Sequence, residues 1–257
     1  MKKNDLKFYD LSADNWWKPE AKIFALYHLN QPRFEFFSRY VSDWQSLKVL
    51  DVGCGGGFSG EFMAERGVVV SGIDQSTKCI AKAQEHATSR GLAIDYKQGF
   101  AESIPYGDNT FDVVTCVDVL EHVADLKQTV SEIYRVLKPK GLFFFDTINR
   151  NLKSRLVMIW LLEYLLREIP QGIHDWNKFI RPEELIELMQ TNGFTNIEIK
   201  GFDLFGNTLY QNILSYLRYK KTGGFKGKIS DNTSLMYIGK AVKSLSEKPV
   251  LGFFNRR

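Results

Sequence analysis

Two carboxylates and an imidazole, those of Asp118, Glu121 and His122, directly follow an apolar run in the stretch FDVVTCVDVLEHVADL. If this segment forms one helical turn, the three side chains share a face, because residues three and four apart are neighbours on a helix. Such a set suits a divalent cation, magnesium or zinc. Two other interpretations stay open: His122 is a metal-free general base, or the trio only caps and orients a loop.

A glycine-rich segment, DVGCGGGFSG, precedes this trio by about sixty residues and joins a predicted strand to a predicted helix. Its glycines satisfy the dinucleotide pattern G-x-G-x-x-G, which alone is weak evidence. Asp51 stands ahead of the first glycine, where a carboxylate would repel a pyrophosphate and attract a cationic amino group. The loop therefore favours a positively charged nucleoside, and S-adenosylmethionine is such a ligand.

Alternating strand and helix patterns must position these residues. Apolar strand patterns fall at 47–53, 68–74, 93–99, 111–117 and 141–147, and helical spacing falls between them at 58–67, 76–90 and 125–141. This alternation predicts a parallel, doubly wound α/β sheet. Ligands of such sheets bind beyond the carboxyl ends of the strands, which is where the chemically competent residues lie.

Composition narrows the class of protein. The chain has 257 residues, 44% of them hydrophobic, and a net charge of +4, which is too small an excess to predict nucleic-acid binding. Its three cysteines form no C-x-x-C pair, so we expect a reducing cytoplasm and neither a disulfide framework nor a structural zinc site. The N-terminus has no apolar stretch typical of a secretory signal.

The segment VLDVGCGGG resembles motif I of the class I methyltransferases, which have a seven-stranded Rossmann-like α/β fold and bind S-adenosylmethionine. The resemblance implies that the segments 193–203 and 234–244 form an antiparallel pair of strands, which brings the number of predicted strands to seven. The resemblance implies that Gly53 and Gly55 line the cofactor, that Asp74 binds its ribose hydroxyls, and that Ala101 and Glu102 flank the adenine. A carboxylate at the end of the second strand can accept hydrogen bonds from both hydroxyls.

More specific segments resemble the O-methyltransferases of ubiquinone biosynthesis: the N-terminal leader with Arg33, VVTCVDVLEHVADL and GIHDWNKFIRPEELIELM. The resemblance implies O-methylation of a phenol or catechol on a polyprenylated quinone precursor. It also implies that Arg33 reaches the cofactor carboxylate, that the backbone of Val117 contacts the cofactor, and that a metal binds at Asp118, Glu121 and His122. Asp118 stands where the family usually has glutamate. A soluble metabolite as methyl acceptor is the alternative.

The resemblance divides the chain into a helical cap (1–46), a cofactor-binding core (47–150), an apolar insert (151–180) and a C-terminal part with a long acceptor-side loop (181–257). In GIHDW, His174 is a candidate catalytic residue together with Asp175, or a loop-positioning histidine. Within the 152–169 insert, the apolar run 156–169 has fourteen residues, well short of the roughly 20 needed to span a bilayer. We expect an apolar helical lid that has a polar stripe of Arg155, Glu163 and Arg167 and buries most of its remaining surface. Two interpretations stay open: the lid only packs on the edge of the sheet, or it also covers a prenyl tail or contacts a membrane surface with the help of its basic residues.

Overall fold

One mixed sheet forms the centre of the computed structural model, which describes residues 4, 6–204, 206, 209–224 and 227–245, apart from the side chains at 209 and 212. Within these residues its strands are β1 (Lys48–Val52), β2 (Val69–Asp74), β3 (Asp95–Gln98), β4 (Phe111–Val117), β5 (Leu137–Ile148), β6 (Phe194–Asp203), β7 (Lys228–Ser230) and β8 (Met236–Lys243). Their order across the sheet is β3-β2-β1-β4-β5-β8-β6-β7.

The topology confirms the predicted doubly wound sheet. Strands β1 to β5 pair in parallel, and β8 lies antiparallel between β5 and β6. All seven predicted strands form, and the short β7 adds an eighth at the edge next to β6. The strand order reverses between β1 and β4, so a crevice opens at their carboxyl ends, where ligands of this topology bind.

Helices cover the sheet and its carboxyl edge. The α-helices are α1 (Lys7–Ser12), α2 (Asn30–Phe37), α3 (Phe58–Ala64), α4 (Thr77–Ser89), α5 (Leu126–Val136), α6 (Leu152–Ser154), α7 (Pro182–Thr191) and α8 (Leu209–Thr222). Ser76 caps α4, since its side chain accepts a hydrogen bond from the amide of Cys79. The predicted helix over 125–141 ends early, at Val136, because the chain from Leu137 joins the sheet as β5.

Side chains that alternate in direction along the strands form two apolar layers, one on each face of the sheet. Phe143 and Phe145 lie in one buried cluster and Phe144 lies in the other, on the opposite face of the sheet. Successive side chains of a strand point to opposite faces, so a continuous apolar run predicts burial on both. This rigid, doubly covered sheet fixes the loops at its carboxyl edge.

The insert differs from its prediction. Residues Arg155–Leu165 form a π-helix after the short α6, and Glu163 is fully buried, so it belongs to no solvent-facing polar stripe. Instead the large apolar side chains Leu152, Leu156, Trp160 and Leu165 are exposed, each by 59% or more. The expectation that this helix buries most of its apolar surface is therefore wrong. Among the described residues, no helix is long and apolar enough to cross a membrane.

The predicted long acceptor-side loop is also not a loop along its whole length. It contains α8 and the strand β7. Glu168, at the end of the insert, accepts hydrogen bonds from the Tyr216 hydroxyl at 3.0 Å and the Lys220 ammonium at 3.1 Å. These bonds tie α8 to the insert. The last residues of the predicted C-terminal part, 246–257, lie outside the described residues.

Candidate active site

A cavity of about 660 Å³ opens at the carboxyl ends of β1, β2 and β4. Its volume is within the usual range for small-molecule and cofactor sites. It brings together seven of the eight predicted cofactor-binding residues, which are Asp51, Gly53, Gly55, Asp74, Ala101, Glu102 and Val117. The sheet positions them, because each follows or ends a strand at the same edge.

Asp51 supplies a buried, partly unpaired carboxylate. One oxygen, Oδ1, accepts a hydrogen bond from the Thr115 hydroxyl at 3.0 Å. The other, Oδ2, is buried without a hydrogen-bond partner among the described residues. Burial raises the pKa of Asp51 to about 7. A buried acceptor without a partner is costly, so this oxygen fits a cationic donor that enters the cavity.

Asp74 is held by the backbone at the end of β2. Its two carboxylate oxygens accept hydrogen bonds from the amides of Gly55, at 3.0 Å, and Ser76, at 2.8 Å. Each oxygen keeps a second lone pair, so the carboxylate can also accept from ligand hydroxyls. Burial raises its pKa. This arrangement is compatible with the predicted ribose contact.

The glycine loop turns tightly over the cavity. Gly53 has φ of +74°, and a Cβ at this position would lie 2.3 Å from Cγ2 of Val119. Gly55 has φ of +52°, and its Cβ would lie 2.4 Å from the Trp16 ring. Both positions therefore require glycine, for backbone conformation and for space. The N-terminal helices thus pack directly on the loop.

The charge of the cavity disfavours a diphosphate. Five of its lining residues carry carboxylates (Asp10, Asp51, Asp74, Glu102, Asp118), against two ammonium groups, those of Lys7 and Lys178. An excess of acidic groups at close range opposes a pyrophosphate and favours a cation. These residues therefore fit the predicted S-adenosylmethionine better than a dinucleotide with its pyrophosphate.

Arg33 takes a position that differs from its prediction. Its guanidinium is buried in an ion pair with Asp146 at 2.5 Å and donates a second hydrogen bond to Asp118. Arg33 does not line the larger cavity, so the structure does not place it against the cofactor. It lies beneath the site, where it fixes the carboxylate of Asp118.

A second cavity, of about 140 Å³, lies under the insert. Apolar side chains from several segments surround it, including Ile23, Met158, Leu162, Ile173 and Met236. The two cavities share four lining residues, Tyr9, Leu26, Asp118 and His122. The apolar chamber is therefore separated from the polar cavity by a single layer of side chains.

The three predicted metal ligands, Asp118, Glu121 and His122, all line one cavity, the one under the insert, but each is held by a different partner. Asp118 has φ of 55° and residues 120–122 form a turn, so the trio is not on a regular helix. Asp118 bonds to Arg33, Glu121 accepts from the Thr147 hydroxyl at 2.6 Å, and Nδ1 of His122 lies 2.9 Å from the side-chain oxygen of Asn4. No group of three histidine, cysteine or acidic residues in the described part of the chain could hold a metal ion. The regular helical turn from which the shared face was predicted does not form.

Burial shifts the pKa of two of these residues, Glu121 and His122. It raises the pKa of Glu121 to about 8, with the nearby Asp118 carboxylate acting in the same direction. It lowers the pKa of His122 to about 3, together with the charges of His174 and Lys178. His122 is consequently neutral at physiological pH and a weak base.

The two predicted catalytic histidines lie together at the apolar chamber. The rings of His122 and His174 are 5.4 Å apart and nearly parallel, and both line the chamber. Asp175, the third predicted catalytic residue, lines neither cavity. Its carboxylate instead caps the 3-10 helix Trp176–Lys178 by accepting from the amide of Asn177.

Comparison with known proteins decides the family. The family model described as "Methyltransferase domain" matches residues 50–145. The chain is 36% identical over 208 residues to a ubiquinone biosynthesis O-methyltransferase of Pasteurella multocida, a match that covers 77% of this chain and 86% of that relative. The chain belongs to this O-methyltransferase family. It is a methyltransferase that depends on S-adenosylmethionine.

Two further comparisons agree with this membership. A family member of Pseudomonas entomophila is 41% identical over 204 residues, covering 78% of this chain and 84% of that relative. The fold resembles a crystal structure from Thermotoga maritima described as a SAM-dependent methyltransferase, possible histamine N-methyltransferase, with a TM-score of 0.63, 18% identity, and coverage of 93% and 97% of the two chains. At that identity the likeness shows the fold.

Two side chains at the site were not predicted from the sequence. Tyr9 lines both cavities, and the N-terminal leader that contains it gave no sign of this role. Glu163 bonds to His174 from within the insert, at 2.7 Å. Its only trace in the sequence is an acidic residue inside an apolar stretch, and such a residue needs a buried partner.

Proposed function

We propose that this enzyme methylates a phenol or catechol oxygen of a lipophilic quinone precursor, with the acceptor ring in the apolar chamber. The observation that carries the proposal is the shared wall: the chamber under the insert and the acidic cofactor cavity meet at Tyr9, Asp118 and His122. The relatives named above as ubiquinone biosynthesis O-methyltransferases support the same class of acceptor. Apolar lining favours an acceptor that carries a hydrocarbon tail.

When bound, S-adenosylmethionine supplies a sulfonium methyl group to an oxygen nucleophile. The protein's share is to position both molecules and to take a proton. Asp51 holds the cationic amino end, and Asp74 holds the ribose. Ala101 and Glu102 lie where the adenine is expected.

His174 is the proposed proton acceptor. A phenol has a pKa near 10 and must lose its proton to become a strong nucleophile. His174 lines the chamber, whereas the lowered pKa of His122, about 3, makes that residue too weak a base. In this proposal His122 forms part of the wall between cofactor and acceptor.

Methyl transfer to two matched catechols tests the acceptor, one with a single prenyl substituent and one without. We expect at least a tenfold higher kcat/KM for the prenylated catechol, because burial of even two methylene groups contributes about 1.6 kcal/mol. Equal kcat/KM values would argue for a soluble acceptor instead.

Substitution of His174 tests whether this residue is the base. We expect His174→Ala to lower kcat by about 10² to 10⁴, the usual share of a general base, with cofactor affinity unchanged. His28→Asn is the control, because His28 lines neither cavity. Wild-type turnover in His174→Ala would contradict the assignment.

We also propose that the insert contacts a membrane surface. Leu156, Trp160 and Leu165 are exposed by 59–60%, and the basic residues Lys153 and Arg167 flank them in the sequence. Exposed apolar groups beside basic ones are typical of helices that lie in a bilayer interface.

Vesicle co-sedimentation tests this contact. Binding to anionic vesicles should fall at least fivefold in the double variant Leu156→Ser, Trp160→Ser. It should persist in Leu11→Ser, which removes a leucine outside the insert that is 76% exposed. Wild-type protein that does not sediment with anionic vesicles would refute the membrane contact and leave the methyltransferase assignment intact.

A further inference from the structure

Glu163 is an ionisable group buried inside the most apolar segment of the chain. Its side chain has no exposed surface. Oε2 accepts from the amide of Gly172 at 2.9 Å, and Oε1 accepts from the amide of His174 at 3.2 Å. The same Oε1 lies 2.7 Å from Nδ1 of the His174 ring. Burial of a carboxylate is costly, and three donors around one such group offset that cost.

We propose that Glu163 is a positioning residue that holds His174 as the tautomer protonated at Nδ1, and so leaves Nε2 free to take the acceptor's proton. This inference rests on the proposed function. A carboxylate has no proton to donate, so a hydrogen bond between it and Nδ1 requires the imidazole to donate. A histidine whose Nδ1–H is held by a carboxylate has its lone pair on Nε2.

The surroundings of His174 offer no competing arrangement. Its neighbouring rings are His122, nearly parallel at 5.4 Å, and Phe179, edge-on at 5.6 Å. Within the part of the chain that the structure describes, Glu163 is its only ion-pair partner, and Nε2 makes no hydrogen bond. The imidazole ring is thus held at Nδ1 by Glu163, and Nε2, the proposed proton acceptor, makes no hydrogen bond among the described residues.

The placement of Glu163 links the base to the lid. Leu162, the preceding residue in the π-helix, lines the acceptor chamber, and Glu163 reaches across to the loop that carries His174. The insert therefore covers the acceptor and orients the base through adjacent residues. Displacement of the insert would remove both the cover and the partner of Nδ1.

Nitrogen-15 NMR of the histidine side chains tests the tautomer directly in the wild-type protein without substrate. The chain has four histidines, so the loss of one signal set in His174→Gln assigns the residue. We expect Nδ1 protonated and Nε2 unprotonated at pH 8. An Nε2-protonated ring in the wild type would overturn the proposal, and this measurement does not depend on whether any variant folds.

Glu163→Gln tests the consequence for catalysis. The amide nitrogen can donate to Nδ1, which would move the imidazole proton to Nε2 and block that nitrogen as an acceptor. We expect kcat to fall by about 10² to 10⁴, KM to stay within about threefold, and the NMR pattern to switch tautomer. Glu163→Asp keeps the carboxylate and should recover part of the lost kcat.

Glu187→Gln is the matched control, because it makes the same change at an exposed position of α7. A kcat of Glu163→Gln within threefold of wild type would refute the positioning role. Failure of the proposed function is distinguishable: a wild-type protein that shows the Nδ1–H tautomer but methylates neither catechol would refute the acceptor class and retain the Glu163–His174 assignment.

Discussion

Replacement of Asp51 by asparagine should weaken cofactor binding in a way that depends on pH. The Asp51 Oδ2 atom is buried and unpartnered among the described residues, and burial raises the pKa of this carboxyl to about 7. The charged groups that act on it are the Arg33 guanidinium, which lowers that pKa, and the Asp74 carboxylate, which raises it. A bound ammonium group would favour the ionised form.

The magnitude follows from these contacts. A hydrogen bond to a charged group contributes about 1.5–3 kcal/mol, so the loss of the charge should raise the Kd about 10- to 150-fold. With a pKa of about 7, roughly one tenth of Asp51 is ionised at pH 6 and roughly nine tenths at pH 8. The ratio of the variant Kd to the wild-type Kd should therefore grow about tenfold from pH 6 to pH 8.

Isothermal calorimetry at pH 6, 7 and 8 measures this ratio of the two Kd values. Protonation of the ligand's amino group affects both Kd values equally, so it cancels in the ratio. S-adenosylmethionine and S-adenosylhomocysteine should lose affinity equally, since both carry the amino group and only the former carries the sulfonium. Asp231→Asn is the control, at a carboxylate whose side chain is 91% exposed. A ratio that is independent of pH, or a loss confined to the sulfonium ligand, would refute the assignment of Asp51 to the amino group.

Three further substitutions test the site. Glu121→Gln should stabilise the fold at pH 8 by about 2–4 kcal/mol but not at pH 4. The reason is that the pKa of Glu121 is raised from 4.5 to about 8, so the wild type loses stability as the pH rises through that window. Equal shifts of the melting temperature at pH 4 and pH 8 would contradict this. Gly53→Ala should abolish detectable cofactor binding in calorimetry, since φ is +74° and Val119 occupies the Cβ position; retained affinity would show that the loop can relax. Glu168→Gln should raise the acceptor KM about 3- to 10-fold with kcat unchanged, because the bonds between insert and α8 contribute about 1 kcal/mol; a lower kcat at constant KM would argue against a role in closing the chamber.

The sequence alone determined the cofactor half of the site. Continuous apolar runs closed by glycine or an acid predict buried parallel strands, and such strands place their carboxyl ends at one edge. The strand and helix patterns that flank them therefore place Asp51, Gly53 and Asp74 at this edge of the sheet. Their side chains and backbone need only the local strand–turn–helix geometry, which is why the cavity contains them as predicted.

Tertiary structure decided the acceptor half. The segment 118–122 is a turn that begins with a left-handed residue, Asp118, and not a regular helical turn. The directions of the side chains in this segment are set by partners distant in the chain, such as Arg33 and Thr147.

The insert shows the same limit of sequence patterns. Periodicity placed Glu163 on a polar stripe, but the π-helix and a buried histidine made it an internal hydrogen-bond acceptor. Hydrophobic periodicity records which residues avoid water when a helix is regular. It carries no information about a polar group whose partner arrives from another loop, because that pairing exists only after the chain has folded.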